Sequence, residues 1–420
     1  MENKSLWDRC HINSNFEEDK FVGLKMDNDN ITVSFPLGYH CAKAEDKVIR
    51  REILSLFSIL QKFNSKKDSE KSNYSDDNVY LDFPILSYQF LIMDFLKNGY
   101  YTEKEKVYKN ATRGKISWKR TIQKNKPYIS GTDMIYLDFI IKKNNINSDT
   151  ILTRIHEYCV YESFLKLGWL YTSVLPRKPR IKLNKRGFIS VLKDALNQTF
   201  DNDKKQRFIA MINIINNVSE GSTNIKSFSY GTSKFEYTWE KMIDYVFGET
   251  NKEIYFPKAQ WKLVYEDKTY PSSSLEPDTI IKLDNRIYIL DAKYYKFGVT
   301  GNYGHLPASS SIQKQITYGE FLDNKKSIKQ TRRKQPYDCI YNAFIIPFNK
   351  SKRNDENFKF IGVATADWKD DSKTYEYVLA ILLDTKHIMA SCYRQNFREI
   401  EELTTLIENS YEFQKKEKII

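Results

Sequence analysis

No two cysteines stand at CxxC spacing. The five present, Cys10, Cys41, Cys159, Cys339 and Cys392, are scattered and odd in number. This argues against a disulfide framework and against a zinc site, and fits reduced thiols in a cytoplasm. Long apolar runs are missing too. The most apolar stretch, residues 377–383, falls far short of the roughly 20 residues needed to span a bilayer. Residues 1–20 are charged throughout and lack the apolar segment of a secretory signal. A soluble, cytoplasmic chain with no membrane association is expected. No Walker GxxxxGK[ST] motif occurs. Gly298, Gly301 and Gly304 lack GxGxxG spacing and read as a loop. His156-Glu157 lacks the second histidine of HExxH and reads as ordinary helix surface. No internal repeat is visible.

What is present belongs to a folded chain. A length of 420 residues predicts two or three domains at the usual size of about 100–200 residues each. The hydrophobic share is only 41%, but 29 Tyr and 25 Phe supply large buried surfaces and argue against general disorder. Lys and Arg number 66 against 54 Asp and Glu, a net +12. That sign favours a polyanionic partner through counterion release.

The hydrophobic pattern predicts a strand over 30–36, a helix over 47–63 and an exposed polar loop over 65–73. Helices are expected over 88–96, 150–170, 188–218, 234–248, 309–323 and 394–409. Strands are expected at 113–120, 134–141, 261–265, 278–283, 286–292, 340–346 and 376–384. The basic, proline-containing segment 176–187 reads as a linker or a boundary strand. The expected fold is therefore α/β (α+β) with two domains: a mixed α/β domain over 1–180, and a mixed sheet with flanking helices over 188–420.

The chemistry concentrates in residues 276–293. Two β-branched runs flank Asp284-Asn285, a strong hairpin signal. With those two residues as the loop, Leu283 pairs with Arg286 and Asp278 falls opposite Asp291. Directly opposed residues have Cβ atoms roughly 4.5–5.5 Å apart. Alternation puts Lys293 on the same face as Asp291, and Ala292 on the other. Two close carboxylates repel unless a cation lies between them. Oxygen ligands of this kind suit Mg²⁺, with Mn²⁺ as a substitute. The competing view is a plain amphipathic hairpin with Asp at its ends.

Pro277-Asp278 with Asp291-Ala292-Lys293 resembles the PD-(D/E)xK nuclease motif. More narrowly, the chain resembles the LlaJI-type restriction endonucleases, which are similar to McrC nuclease subunits. The likeness rests on Trp239-Glu240, the 276–295 block, residues 309–320 and residues 343–347. It covers the C-terminal half well and the N-terminal half more loosely, through residues 113–118. It implies a restriction-endonuclease-like mixed sheet over 188–420 that cleaves DNA with Mg²⁺. It also implies a glutamate on the preceding helix in the metal shell: Glu240, or Glu236 four residues earlier. Gln315 and Tyr318, or Gln313 in place of Gln315, would lie near the scissile backbone. Solvated helix charges for the glutamates, and a helix packing its tyrosine in the core, are the plain alternatives. The basic run Lys325, Lys326, Lys329, Arg332, Arg333 and Lys334, and the clusters at 113–120 and 177–186, could track DNA or an acidic partner.

Three functions follow. The first is the nuclease subunit of a bacterial restriction system, acting on double-stranded DNA with an McrB-like AAA+ GTPase, residues 1–180 contacting partner or DNA. The second is a self-sufficient, sequence-specific type II endonuclease. The third is an inactive DNA-binding module. A double-strand cut needs two active sites, from a homodimer or from two assemblies.

Overall fold

The computed structural model describes residues 5–27, 30–64, 79–80, 83–131, 133–147, 149–218, 228–266, 268–328, 338–350, 355–370, 372–393 and 397–417. The loop expected at 65–73 lies outside them. The chain forms two compact units, one of residues 1–82 with 226–420 and one of residues 83–225.

The first unit opens with strands β1 (Cys10–Ile12), β2 (Val22–Asp27) and β3 (Asn30–Phe35), then helix α1 (Asp46–Phe63) and short strand β4 (Val79–Tyr80). In α1 the residues Ile49, Ile53, Leu56, Phe57 and Leu60 recur at helical spacing and are all buried.

The second unit contains helices α2 (Ile85–Asn98), α3 (Trp118–Lys124), α4 (Ile151–Leu167), α5 (Lys185–Gln198) and α6 (Asn202–Asn217). Its strands are β5 (Glu103–Asn110), β6 (Lys115–Ile116), β7 (Tyr128–Ser130), β8 (Asp133–Ile135) and β9 (Ile140–Asn147). They pair as β5-β9-β6 and β7-β8. The helical stretch expected over 188–218 is two helices, because Asp201 caps α6 by accepting from Asp203 N and Lys204 N. The strand expected at 113–120 ends at Ile116, and α3 follows. His156 is a correction: it is fully buried, not surface. Its Nδ1 accepts from Tyr101 N at 3.0 Å, and burial pushes its pKa down to about 4.

The chain re-enters the first unit with β10 (Phe228–Thr232) and α7 (Phe235–Phe247). The hairpin β11 (Gln260–Lys262) and β12 (Thr269–Pro271) follows, then β13 (Thr279–Leu283) and β14 (Arg286–Ala292). Next come α8 (Phe297–Thr300), α9 (Ser309–Ile328), β15 (Cys339–Phe348), β16 (Phe358–Ala364), β17 (Val378–Asp384), α10 (Thr385–Ser391) and α11 (Phe397–Glu417). Strand β10 lies antiparallel to β2. That pairing ties residues 22–26 to a sheet of order β1-β3-β2-β10-β4. The contacts thus divide the chain differently from the boundary expected near residue 180.

The second large sheet runs β13-β14-β15-β17-β16. Its centre, β14-β15-β17, is parallel, and both edges are antiparallel. Parallel strands are covered on both faces, which explains the continuous apolar run of β15. Ile316, Tyr318 and Leu322 of α9 join Ile287, Ile289, Phe344 and Ile346 in one core. On the opposite face Tyr288 meets α11, where Glu408 accepts from Tyr288 Oη and from Arg286. The fold is the mixed sheet with flanking helices that the sequence predicts. Among the described residues no helix is long and apolar enough to cross a membrane. All five cysteines are free thiols.

Candidate active site

The register of the β13–β14 hairpin decides the site. Leu283 pairs with Arg286 and Thr279 with Leu290, so the loop is Asp284-Asn285. Asp284 takes a left-handed conformation with φ of 52°, which Asp tolerates because its short polar side chain can bond locally. The same register carried one step further sets Asp278 opposite Asp291. Asp278 Oδ2 accepts from Ala292 N at 2.8 Å. Lys293 Nζ lies 2.7 Å from Asp291 Oδ2. Asp278, Asp291 and Lys293 are therefore gathered at one end of the sheet.

Their neighbours hold them there. Lys293 N donates to Ile345 O at 2.9 Å, continuing the β14–β15 ladder past the strand end. Trp239 Nε1 donates to the same carbonyl at 3.3 Å. Lys252 Nζ donates to Asp278 O at 2.6 Å. Tyr294, next to Lys293, is packed against Phe235 and Trp239. Its hydroxyl accepts from Leu37 N at 2.6 Å, and its carbonyl from Asn15 Nδ2 at 3.1 Å. The N-terminal segment thus buttresses the strand end. Nothing local in the sequence marks Asn15, Leu37 or Tyr294 for this role, because the contacts span more than 250 residues of chain.

The electrostatics are those of crowded acids. Burial, then the charges of Asp291 and Glu240, raise the Asp278 carboxyl well above the ordinary Asp range. Glu240 is pushed up to about 7, chiefly by burial; Lys293 pulls it down, and Asp291 and Glu236 push it up. Burial disfavours the Lys293 ammonium, but Asp291 and Asp278 outweigh it and the net shift is upward. Asp291 is 2% exposed. Its Oδ2 has the close Lys293 ammonium but no donor aligned as a hydrogen bond. An oxygen-rich cluster of crowded, buried acids of this kind suits a hard divalent cation, which would relieve the repulsion. Among the described residues no three His, Cys, Asp or Glu side chains stand as a ready-made metal shell. Glu240 belongs to the charge environment of the Asp pair, whereas Glu236 acts on Glu240 and Tyr294.

The α9 residues are placed differently. Gln315 is 1% exposed. Its Nε2 donates to Ile289 O at 2.7 Å, so the amide is committed to the β14 backbone. Tyr318 is buried and donates to Glu276 O at 3.0 Å. Burial and the charges of Asp291 and Asp278 push its phenol upward. Gln313 is exposed. Between them, Lys314 lies with Nζ 5.6 Å from the Tyr318 ring and lowers the Glu240 pKa. Sequence reasoning passed over this cation, because a lone Lys on a helix has no distinguishing spacing. The side chains of Lys325 and Lys326, and all of Lys329, Arg332, Arg333 and Lys334, lie outside the described residues.

A mixed sheet with Pro-Asp leading into one hairpin strand and Asp-Ala-Lys at the end of the next is the arrangement expected of a PD-(D/E)xK nuclease. The profile of the LlaJI restriction endonuclease family matches residues 21–386. The chain belongs to that family, a family of nucleases. Comparison with curated proteins finds no match. Among solved structures, the chain is similar to one described as the refined half-complex from the tetradecameric assembly of Thermococcus gammatolerans McrB AAA+ hexamers with bound McrC. The identity is 16%, the match covers 89% of this chain and 82% of that one, and the TM-score is 0.34.

Proposed function

We propose that the chain is a Mg²⁺-dependent DNA endonuclease, the nuclease subunit of a bacterial restriction system, with Asp278, Asp291 and Lys293 as its catalytic residues. One observation supports this above the rest: the hairpin register opposes Asp278 and Asp291, and Lys293 lies within 2.7 Å of Asp291. Asp278 and Asp291 would hold the cation, with Glu240 completing the acidic set. When bound, the ion supplies charge neutralisation at the phosphodiester and a water acidic enough to attack at neutral pH. Lys293, whose pKa is raised, stays an ammonium. It can donate to the attacking water or to a phosphate oxygen and offset the negative charge that develops there. Gln315 and Tyr318 act as supports that fix β14 and the loop before β13.

The chain contains no Walker motif, so any GTP-driven step belongs to a second protein. The resemblance of the sequence to McrC subunits makes an McrB-like AAA+ GTPase our choice of partner.

Plasmid cleavage with Mg²⁺ tests the proposal, comparing wild type with Lys293→Ala, each alone and with the candidate GTPase plus GTP. We expect cutting only with partner and GTP, and a loss of about 10²–10³-fold in the variant, the usual cost of removing one charge-stabilising donor. Partner-free cutting at a single sequence would establish the type II alternative instead. Equal activity in variant and wild type would displace the active site from this hairpin.

A further inference from the structure

Charge is concentrated in one part of the second unit. Residues 103–147 contain eleven Lys and Arg against four Asp and Glu, a net +7 out of the chain's +12. These residues form the β5-β9-β6 sheet, the β7-β8 hairpin and α3. Beside β9 lies a cavity of about 400 Å³ whose charged lining, among the described residues, is Lys109, Arg113, Lys142 and Lys143. Among the described residues none of the four is in an ion pair, and Lys109, Arg113 and Lys143 are exposed. Gly114 shapes the cavity's lip. Its φ of +136°, and the 2.8 Å that would separate an added Cβ from Ile141 Cδ1, both disfavour any side chain there. The chain thus comes close over Ile141.

A second cavity of this unit, about 420 Å³, provides the contrast. It too is cationic, but Asp149 and Glu157 share its lining, and Asp149 takes both Nε and Nη2 of Arg154 at 2.8 and 2.9 Å. That charge is partly neutralised within the protein. Among the described residues no acidic group neutralises the charge at Lys109, Arg113, Lys142 and Lys143, and repulsion among these four cations favours an anion from outside. Elsewhere in residues 103–147, Trp118, Tyr128, Ile129, Met134 and Leu137 are all more than half exposed. Four cations clustered on one face fit the closely spaced phosphates of a nucleic acid better than a small inorganic anion.

We infer that the basic face formed by Lys109, Arg113, Lys142 and Lys143 binds the phosphate backbone of duplex DNA, separately from the residues that cut it. This rests on the reading of the chain as a DNA nuclease, but concerns retention of the substrate and not its hydrolysis. Such contacts carry no sequence information. They would hold duplex to the subunit whatever its sequence.

The test uses the full chain with Lys293→Ala in metal-free buffer, so that binding is read without cleavage. Affinity for a 30-base-pair duplex is measured against salt. It is compared for the parent, a variant with Lys109→Ala, Arg113→Ala, Lys142→Ala and Lys143→Ala, and a charge-matched control with Lys97→Ala, Lys193→Ala, Lys359→Ala and Lys415→Ala. Each lost phosphate contact lowers the slope of log K against log salt by about 0.9. We expect the cavity variant to lose at least tenfold in affinity and about three units of slope, equally for unrelated sequences, with unchanged circular dichroism. The control should keep most of both. An unchanged affinity and slope in the cavity variant would overturn the inference, as would equal losses in variant and control. So would a variant that binds DNA normally but no longer captures the GTPase, since that would make the face a protein-docking surface. Cleavage by the four-residue variant with Lys293 restored is scored separately. Failure of that assay in the wild type would count against the nuclease reading and leave the binding result standing.

Discussion

Glu240 shows how far a single side chain reports the site. Its pKa rises from an ordinary 4.5 to about 7, mainly by burial. An acid with a raised folded-state pKa favours the folded state at low pH, because the unfolded chain gives up that proton first. The metal-free protein should therefore lose stability as pH climbs from about 4.5 through 7, and Asp278, shifted the same way, adds to the slope. Thermal melts between pH 5 and 8 should show a falling midpoint, flatter in Glu240→Gln. Millimolar Mg²⁺ should raise the midpoint more at pH 8 than at pH 5. A wild-type midpoint that does not move with pH would refute this account. Gln315 gives a complementary case. Gln315→Leu removes the amide held by Ile289 O and should cost about 1 kcal/mol of stability. If urea unfolding is unchanged while cleavage collapses, Gln315 acts on substrate and not on β14.

At the scale of elements, the hairpin β13–β14 matters most, because a strand's side-chain period is two. A one-residue slip would turn Asp291 and Lys293 to the other face and part them from Asp278. The turn keeps that register. Asp284 sits at φ 52°, where a β-branched residue costs about 1–2 kcal/mol. Asp284→Val should destabilise by that amount in urea melts, whereas Asp284→Gly should be close to neutral. Insertion of one residue between Asp284 and Asn285 should abolish cutting with the far-ultraviolet spectrum intact. Retained activity after the insertion would show that the pairing does not position the carboxylates.

For the whole molecule, each chain carries one Asp278–Asp291–Lys293 constellation, and on the proposed reading one such site would cut one strand at a time. Nicked circles should accumulate when the nuclease is limiting, and linear product should rise more steeply than in proportion to its concentration. Linear product that is first order from the start, without nicks, would mean that paired sites form before DNA is engaged. The two compact units also divide labour on this view: acidic groups and a lysine at a sheet end in one, a surplus of cations in the other.

The sequence by itself determined the local parts. The apolar, β-branched runs at 278–283 and 286–292, with a polar two-residue turn between them, specified the hairpin, its register and the meeting of Asp278, Asp291 and Lys293. Helical spacing specified α1, α4, α7 and α9 for the same reason: each signal is complete within a few turns of chain. Only tertiary structure decided that β10 pairs with β2, so that residues 1–82 join residues 226–420 in one unit. It alone buried His156 and committed the Gln315 amide to a backbone carbonyl. It alone drew Asn15 and Leu37 to Tyr294 beside the site. Those outcomes depend on contacts between residues far apart in the chain, where burial and hydrogen-bond satisfaction choose the partner and no local spacing encodes it.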